Sequence, residues 1–393
     1  MSGRKKLCNF VTVNKEIISD AMKRLLFALG LLTLLTLTSC RGDIATLGEH
    51  AGDSIITRAG LLKMERAPGY TLVTVLNPWG GSRVLHRYVL VPRDSTVPDR
   101  LPEGTLVRTP IDRALVYSDV HTSILRDLGG FDAVKGVCDT RFFTDPEIRR
   151  RVDDGTIADC GESMSPSIER VIELHPDAIL LSPYQDATYG QIANMNIPII
   201  ECADYMEFTP LGRAEWVKFY GALLGKEREA DSIFNAVVHD YNAICDSAKT
   251  LKQRPLVLTE MEISGIWNVP GGHSYMARLI LDAGGDYPWA DNESTGSLSL
   301  DFNQVLVKAQ QADIWLIKSF NIHSLQDILA ANRLNANFKA YKQHRVYVCD
   351  TNKTQLFARF PFHPERLLKE YYTIFHTPEG HDVPTEFFKR VDQ

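Results

Sequence analysis

Several short stretches carry side chains able to do chemistry, and most follow an apolar, strand-like run. Asp119 and His121 stand in "SDVH", Arg141 and Phe142 in "DTRFF", Tyr184 in "SPYQD", and His273 with Tyr275 in "GGHSYM". Arg359 comes late, in "FARFPF", and Trp267 lies just before the Gly-Gly loop. Imidazole and phenol can ligate a metal centre, guanidinium grips anions through charge-assisted hydrogen bonds, and aromatic rings lie against planar or apolar surfaces. This is the vocabulary of a binding site. A nucleophile with an adjacent base does not emerge, and HExxH, GxSxG, a Walker loop and a complete GxGxxG fingerprint are all missing from the chain. "NVPGGHSYMARLILDAGGDY" has the glycines and helix start of a phosphate cradle, but neither the Lys-Ser/Thr pair nor the third glycine that would complete one. Each candidate also has a plainer use. The two histidines sit at helix starts where a cap or surface role suits them, the two arginines can pair with nearby acids, and Trp267 and Trp79 suit a core.

These residues need elements to position them. "RPLVLTEMEI" is apolar and β-prone enough for a buried strand over 254–263; Ser274 then caps a helix that Gly284 and Gly285 end. "YTLVTVLNPWGGSRVLHRYVLV" alternates about a turn and predicts a hairpin over 70–91 that opens a first lobe. "RALVYSD", "AVKGVCD", "AILLSP" and "IPIIECAD" follow as strands separated by helices, which implies a mainly parallel sheet. The second half repeats the plan: "SIERVIELHPDAILLS" and "DFNQVLVKAQQADIWLIKS" share a polar start, an apolar helical stripe, an Asp and a buried strand. Between the halves, "TPLGRAEWVKFYGALLG" begins with Thr209 as N-cap and Pro210 in the first turn, and a further helix continues it. The expected fold is α/β, with two Rossmann-like lobes of mainly parallel sheets joined by a long rigid interdomain helix. The lobes span 70–206 and 251–393, with the helices at 207–250 between them and the ligand cleft between the lobes.

A chain of 393 residues is long enough for two such lobes, and a formal net charge of −6 without a basic block argues against a nucleic-acid partner. Near the N-terminus, Lys23 and Arg24 precede an apolar run from Leu25 to Leu37 that ends in "LTSC". The run is short for a membrane span and resembles a bacterial lipoprotein signal peptide. Residues 1–40 would then be the signal, Cys40 the lipidated mature start and 41–69 a flexible tether. Five cysteines follow Cys40, an odd number, and Cys138 with Cys160 is the preferred disulfide pair.

Taken together and in order, "SIERVIELHPDAILL", "ECADYMEFTPLGRAEWVKFYGALLG", "VPGGHSYMARLILDAGGDY", "GSLSLDFNQVLVKAQQADIW" and "FHPERLLKEYYTIFH" resemble the substrate-binding proteins of ABC importers whose lobes are bridged by a rigid helix, the class III periplasmic binding proteins, in the form met in Bacteroidetes. The resemblance covers 70–371. It implies a non-enzymatic protein of the periplasm, a monomer held to a membrane through Cys40, which delivers a ferric siderophore, haem or cobalamin to a permease dimer with its ATPase. An iron complex leads, with cobalamin close behind, and no resident cofactor is expected. Asp119, His121, Arg141, Phe142, Tyr184, Trp267, His273, Tyr275 and Arg359 would face the cargo, and the Gly-Gly loop would let backbone approach it. Docking would use Glu169 on the first lobe; the second lobe has Asn303 at the matching place, with Asp301 two residues earlier as a substitute. Two other readings stay open. A bare zinc or manganese ion would need clustered His and carboxylates, whereas the eleven histidines are scattered; a two-lobed α/β enzyme would need a nucleophile.

Overall fold

A computed structural model describes residues 53–80, 83–378, 381 and 384–391. The expected signal segment and Cys40 lie outside the described residues. Five strands come first: β1 Asp53–Ser54, β2 Leu62–Ala67, β3 Tyr70–Leu76, β4 Val84–Pro92 and β5 Thr105–Thr109 form one sheet in that order. The pairings are antiparallel except β4 with β5. The hairpin over 70–91 is therefore present, but it is the middle of a separate sheet and does not open the sheet of the first lobe. Residues 53–67, expected within a tether, supply two of the strands, because Leu62 and Met64 alternate inward and bury against the core.

Two carboxylates fasten this sheet to the rest of the chain. Fully buried Glu215 accepts from the backbone N–H of Thr57 at 3.0 Å, Arg58 at 2.6 Å and Ala59 at 2.9 Å, and from the Thr57 hydroxyl at 2.9 Å. Glu207 accepts from the N–H of Gly60 and Leu61 and from the Trp216 indole. Burial pushes the Glu207 carboxyl up, against those three donors.

The first lobe contains β6 Ala114–Val116, β7 Val134–Val137, β8 Ala158–Asp159, the small antiparallel pair β9 Gly161–Glu162 and β10 Ser165–Pro166, then β11 Ala178–Leu181 and β12 Ile199–Glu201. The main sheet is parallel throughout, in the order β12-β11-β6-β7-β8. Its continuously apolar strands, such as "AILL", suit a sheet covered on both faces. The order reverses between β6 and β11, so Tyr117 and the residues after Leu181 stand at the switch point where open α/β sheets bind ligands.

The second lobe contains β13 Val257–Thr259, β14 Glu262–Ile263, β15 Ile266–Pro270, β16 Ser297–Leu300, β17 Ile314–Lys318, β18 Val346–Cys349 and β19 Lys389–Arg390. Its main sheet runs β13-β17-β18-β19 with only the last pairing antiparallel, and β14-β15-β16 make a small antiparallel sheet. The expected single strand over 254–263 breaks at Glu260, which takes a positive φ of 65° and re-aims the chain.

Between the lobes run the helices Pro210–Glu215, Val217–Leu224 and Glu227–Lys249. Thr209 accepts from Gly212 N as a cap, and Pro210 sits in the first turn. The expected helix is two short ones that meet at Trp216, followed by a third of 23 residues ending near the second lobe. Trp216, Phe219 and Tyr220 fill the space beneath. The preferred disulfide is not formed. Cys138 and Cys160 follow the paired ends of β7 and β8 as buried free thiols, whose burial pushes them up to about 12 and about 11.

Candidate functional site

The carboxyl ends of the strands in both lobes border one trough with two chambers. The first, of about 650 Å³, takes Tyr117, Asp119, Asp139, Arg141 and Phe142 from the first lobe and Thr351, Asn352 and Phe357 from the second. The second, of about 500 Å³, takes Tyr205 and Phe208 from the segment entering the interdomain helices, and Glu260, Tyr275, Lys318, Phe357 and Phe360 from the second lobe. Phe357, half exposed, lines both chambers. Tyr275 stacks on Phe360 with ring centroids 5.9 Å apart, so this wall is a continuous aromatic surface.

Apart from Asp139, the charged side chains in the trough have partners. Arg141 pairs with Glu162 at 3.1 Å and lies 4.7 Å over the Phe142 ring. Lys318 pairs with Glu260, and Arg149 donates to the Phe143 carbonyl at 2.7 Å. Asp119 accepts from the N–H and the hydroxyl of Thr144, both at 2.7 Å; burial raises its carboxyl while these bonds hold it back. The trough is thus aromatic and close to neutral.

Of the residues expected at the cargo, Asp119, Arg141 and Phe142 line the first chamber and Tyr275 the second. Tyr184 borders a neighbouring cavity within the first lobe. Four expectations need correction. His121 is 1% exposed and turns into the core, where its Nε2 lies 3.3 Å from Asp204 Oδ1. It stands two residues after Asp119 on the helix Asp119–Asp127, about 200° around the axis, so the two side chains cannot face the same way. Trp267 is fully buried: strand alternation points Ile266 and Asn268 outward and Trp267 with Val269 inward, where its indole donates to the Thr259 carbonyl at 2.9 Å. His273 is exposed and borders neither chamber. Arg359 is half-buried on the helix Leu356–Arg359, whose Phe357 and Ala358 face the trough while Arg359 is not among its lining residues. Trp79 lies in the turn after β3, away from the trough.

His121 belongs to a buried network that reaches the site. Asp204 accepts from Arg213 Nε at 3.1 Å and from the Tyr220 hydroxyl at 3.1 Å, and Arg213 Nη1 donates to the Tyr275 hydroxyl at 3.2 Å. Burial alone pulls His121 down, but Cys202 and the Asp204 carboxylate hold its imidazolium up to about 10. Asp204 stays below the usual carboxylate range because His121 and Arg213 outweigh its burial.

The Gly-Gly loop has a different reason for its small residues from the one expected. A Cβ on Gly271 would lie 2.3 Å from the Ser294 carbonyl oxygen, and one on Gly272 would lie 2.3 Å from that of Asn292. The glycines make room for the 289–296 segment of their own lobe, not for cargo. Gly272→Ala is expected to destabilise the protein by about 2 to 3 kcal/mol in urea unfolding, since backbone must move to admit the methyl group; a loss below about 0.5 kcal/mol would refute this packing account.

Sequence reasoning missed Phe357 and Tyr117. Tyr117 directly follows the run "ALV" at a strand's carboxyl end, a usable signal. Phe357 lies in a four-residue helix after a turn, where no periodicity marks it. Glu169, Asp301 and Asn303 all lie exposed on the surface, with Asp301 accepting from Gln304 N as part of a capping box.

Two lobes of mainly parallel sheet, joined by helices and enclosing an aromatic trough, define a solute-binding architecture. The chain belongs to the periplasmic binding protein family, whose model matches residues 116–352. The sheet over 53–109 lies outside that match. An uncharacterized lipoprotein of Methanocaldococcus jannaschii is 26% identical over 345 residues, covering 81% of each chain. Among solved structures, a periplasmic haem-binding protein from Pseudomonas aeruginosa superposes with a TM-score of 0.55 at 16% identity, over 71% of this chain and 97% of that one. The Fe3+-hydroxamate transport protein from Saccharomonospora viridis does so with a TM-score of 0.52 at 17% identity, over 68% and 94%. At such identities the likeness is one of fold.

Proposed function

We propose that this chain is the extracytoplasmic substrate-binding lipoprotein of an ABC importer, capturing a metal chelate between its lobes and delivering it to a permease dimer. The observation that carries the reading is the trough itself, with aromatic walls from both lobes meeting at Phe357 and partnered basic side chains along its length. Its size and mixture of apolar walls with a few polar groups suit a small-molecule site. Structural neighbours that bind haem or Fe3+-hydroxamate support the metal-chelate class. Because the arginine and lysine side chains are already partnered, a chelate that masks its charge in its own ligand shell, such as a hydroxamate complex or cobalamin, suits the trough better than a multiply anionic one. The bare-ion alternative would need ligating groups gathered together, and among the described residues no group of three or more His, Cys, Asp or Glu could hold a metal. The "LTSC" segment supports anchoring through Cys40, and a relative named as a lipoprotein agrees with it. Exposed Glu169, and Asp301 or Asn303, would meet the permease.

The test is retention of a coloured chelate. The soluble protein from residue 42 onward is loaded with haem, ferric hydroxamate and catecholate siderophores, and cobalamin, then desalted and read by visible absorption. One-to-one retention of one of them supports the reading, whereas loss of all four refutes it. Phe357→Ala is expected to weaken the retained chelate by about 2 kcal/mol, roughly thirty-fold, because it removes a wall common to both chambers. Unchanged affinity in isothermal titration would place the cargo elsewhere.

A further inference from the structure

Beside the trough, the first lobe holds a cavity of about 480 Å³ bordered by Tyr117, Met164, Tyr184 and Tyr189, with Ser182 and Gln191 among its polar residues. Among the described residues, no Asp, Glu, Lys, Arg or His lines it. We propose that this cavity is a separate compartment for an uncharged planar aromatic group. The Tyr184 and Tyr189 rings meet edge to face, 6.3 Å apart at 75°, and the Met164 side chain stands 76% exposed at the rim. Such rings and a thioether favour a flat π-surface, while the lack of any charged group penalises an ionised one. Tyr117 is the shared wall, lining both this cavity and the first chamber of the trough. Its hydroxyl oxygen is buried without a well-formed hydrogen bond, with the Cys138 thiol as a polar neighbour.

The compartment is also held in shape from outside. Tyr189 adopts a positive φ of 53°, unfavourable for a bulky side chain, and is kept there by its hydroxyl donating to Glu201 at 2.6 Å. The other Glu201 oxygen lies 3.1 Å from His86 Nδ1, and His86 Nε2 lies 2.8 Å from the Thr105 hydroxyl. His86 and Thr105 belong to β4 and β5, in the sheet outside the family match. The added sheet therefore buttresses Tyr189, and His86 is a positioning residue for this compartment. Burial and the neighbouring Glu201 push the Tyr189 phenol up, which keeps it a hydrogen-bond donor.

This inference rests on the cargo reading only in that the compartment adjoins the trough, so the two are tested with different probes. The probe is 5,6-dimethylbenzimidazole at mildly alkaline pH, where it is uncharged, with benzimidazole-5-carboxylate as the same ring bearing a charge; binding is followed by ligand-observed NMR on the soluble protein. The neutral ring is expected to bind at least ten-fold more tightly than the carboxylate and to lose about ten-fold on Tyr184→Ala, whose partly exposed ring can be removed without threatening the fold. His86→Ala and Tyr189→Phe should each weaken it several-fold, with His86→Gln restoring binding, and Phe357→Ala should leave it unchanged. Failure of the neutral ring to bind overturns the proposal. So does indifference to Tyr184→Ala, or loss on Phe357→Ala, which would locate the ring in the trough. If chelates are retained while the ring does not bind, the compartment falls and the cargo reading stands; if the ring binds and no chelate is retained, the compartment stands and the cargo reading falls.

Discussion

Glu215→Ala should lower stability by about 3 to 5 kcal/mol, the range for stranding buried polar partners. The carboxylate is fully buried and collects three consecutive backbone N–H groups and one hydroxyl from the 57–59 segment, with Lys218 nearby at 3.8 Å. Truncation leaves those donors without an acceptor in a place water reaches poorly, so the segment must detach or remain unsatisfied. For a chain of this size the corresponding fall in Tm is about 4 to 7 °C. Glu215→Gln keeps one acceptor oxygen and should recover part of the loss. Hydrogen exchange offers a local readout: amides of 57–59 should lose protection while those of β11 and β17 keep theirs. A loss below about 1 kcal/mol, or protection unchanged at 57–59, would mean that the first sheet is held by its apolar face alone.

That clamp bears on what the amino-acid sequence could reveal. The parallel core of each lobe was legible because strands such as "AILL" and "IWLIK" are buried on both faces and read as continuous apolar runs. The Thr209 and Ser274 caps were legible because a hydroxyl before a helix serves the orphan N–H groups of its first turn. The separate sheet over 53–109 was not, since alternation shows that a strand has an inner and an outer face but not which strand it pairs with. The same limit governs the site. Types and order placed Asp119, Arg141, Phe142 and Tyr275 at the trough, all at loops or helix starts beyond strand ends. Direction was the missing quantity for Trp267, whose neighbours Ile266 and Asn268 face outward, and for His121, which stands two residues from Asp119 at the trough. Fold-level repetition between the halves also concealed that Glu207 and Glu215 serve the sheet before the first lobe, some 150 residues earlier in the chain.

Asp204→Asn should cost about 3 to 5 kcal/mol, because it removes the charge between two buried cations. His121 Nε2 and Arg213 Nε both approach this carboxylate, and neither has another acidic partner in the network. The sign of the pH dependence follows from His121. Its folded value, about 10, lies above the usual 6.5, so the folded protein binds the extra proton. The resulting stability is fully present below about pH 6.5 and is lost as pH rises toward about 10. His363, held up to about 9 between Asp127 and Glu365, contributes with the same sign over a narrower window. Urea unfolding should therefore show stability declining from neutral to alkaline pH, with a shallower decline in His121→Gln and a shallower one still when His363→Gln is added. A slope unaltered by His121→Gln would mean that the ring is neutral in the core and that Asp204 is balanced by Arg213 alone. Because Arg213 also donates to Tyr275 at the trough, Asp204→Asn should weaken a retained chelate as well, whereas Tyr220→Phe, which keeps the Asp204 charge, should not. Equal effects of the two variants on the chelate would show that the network supports the fold without reaching the site.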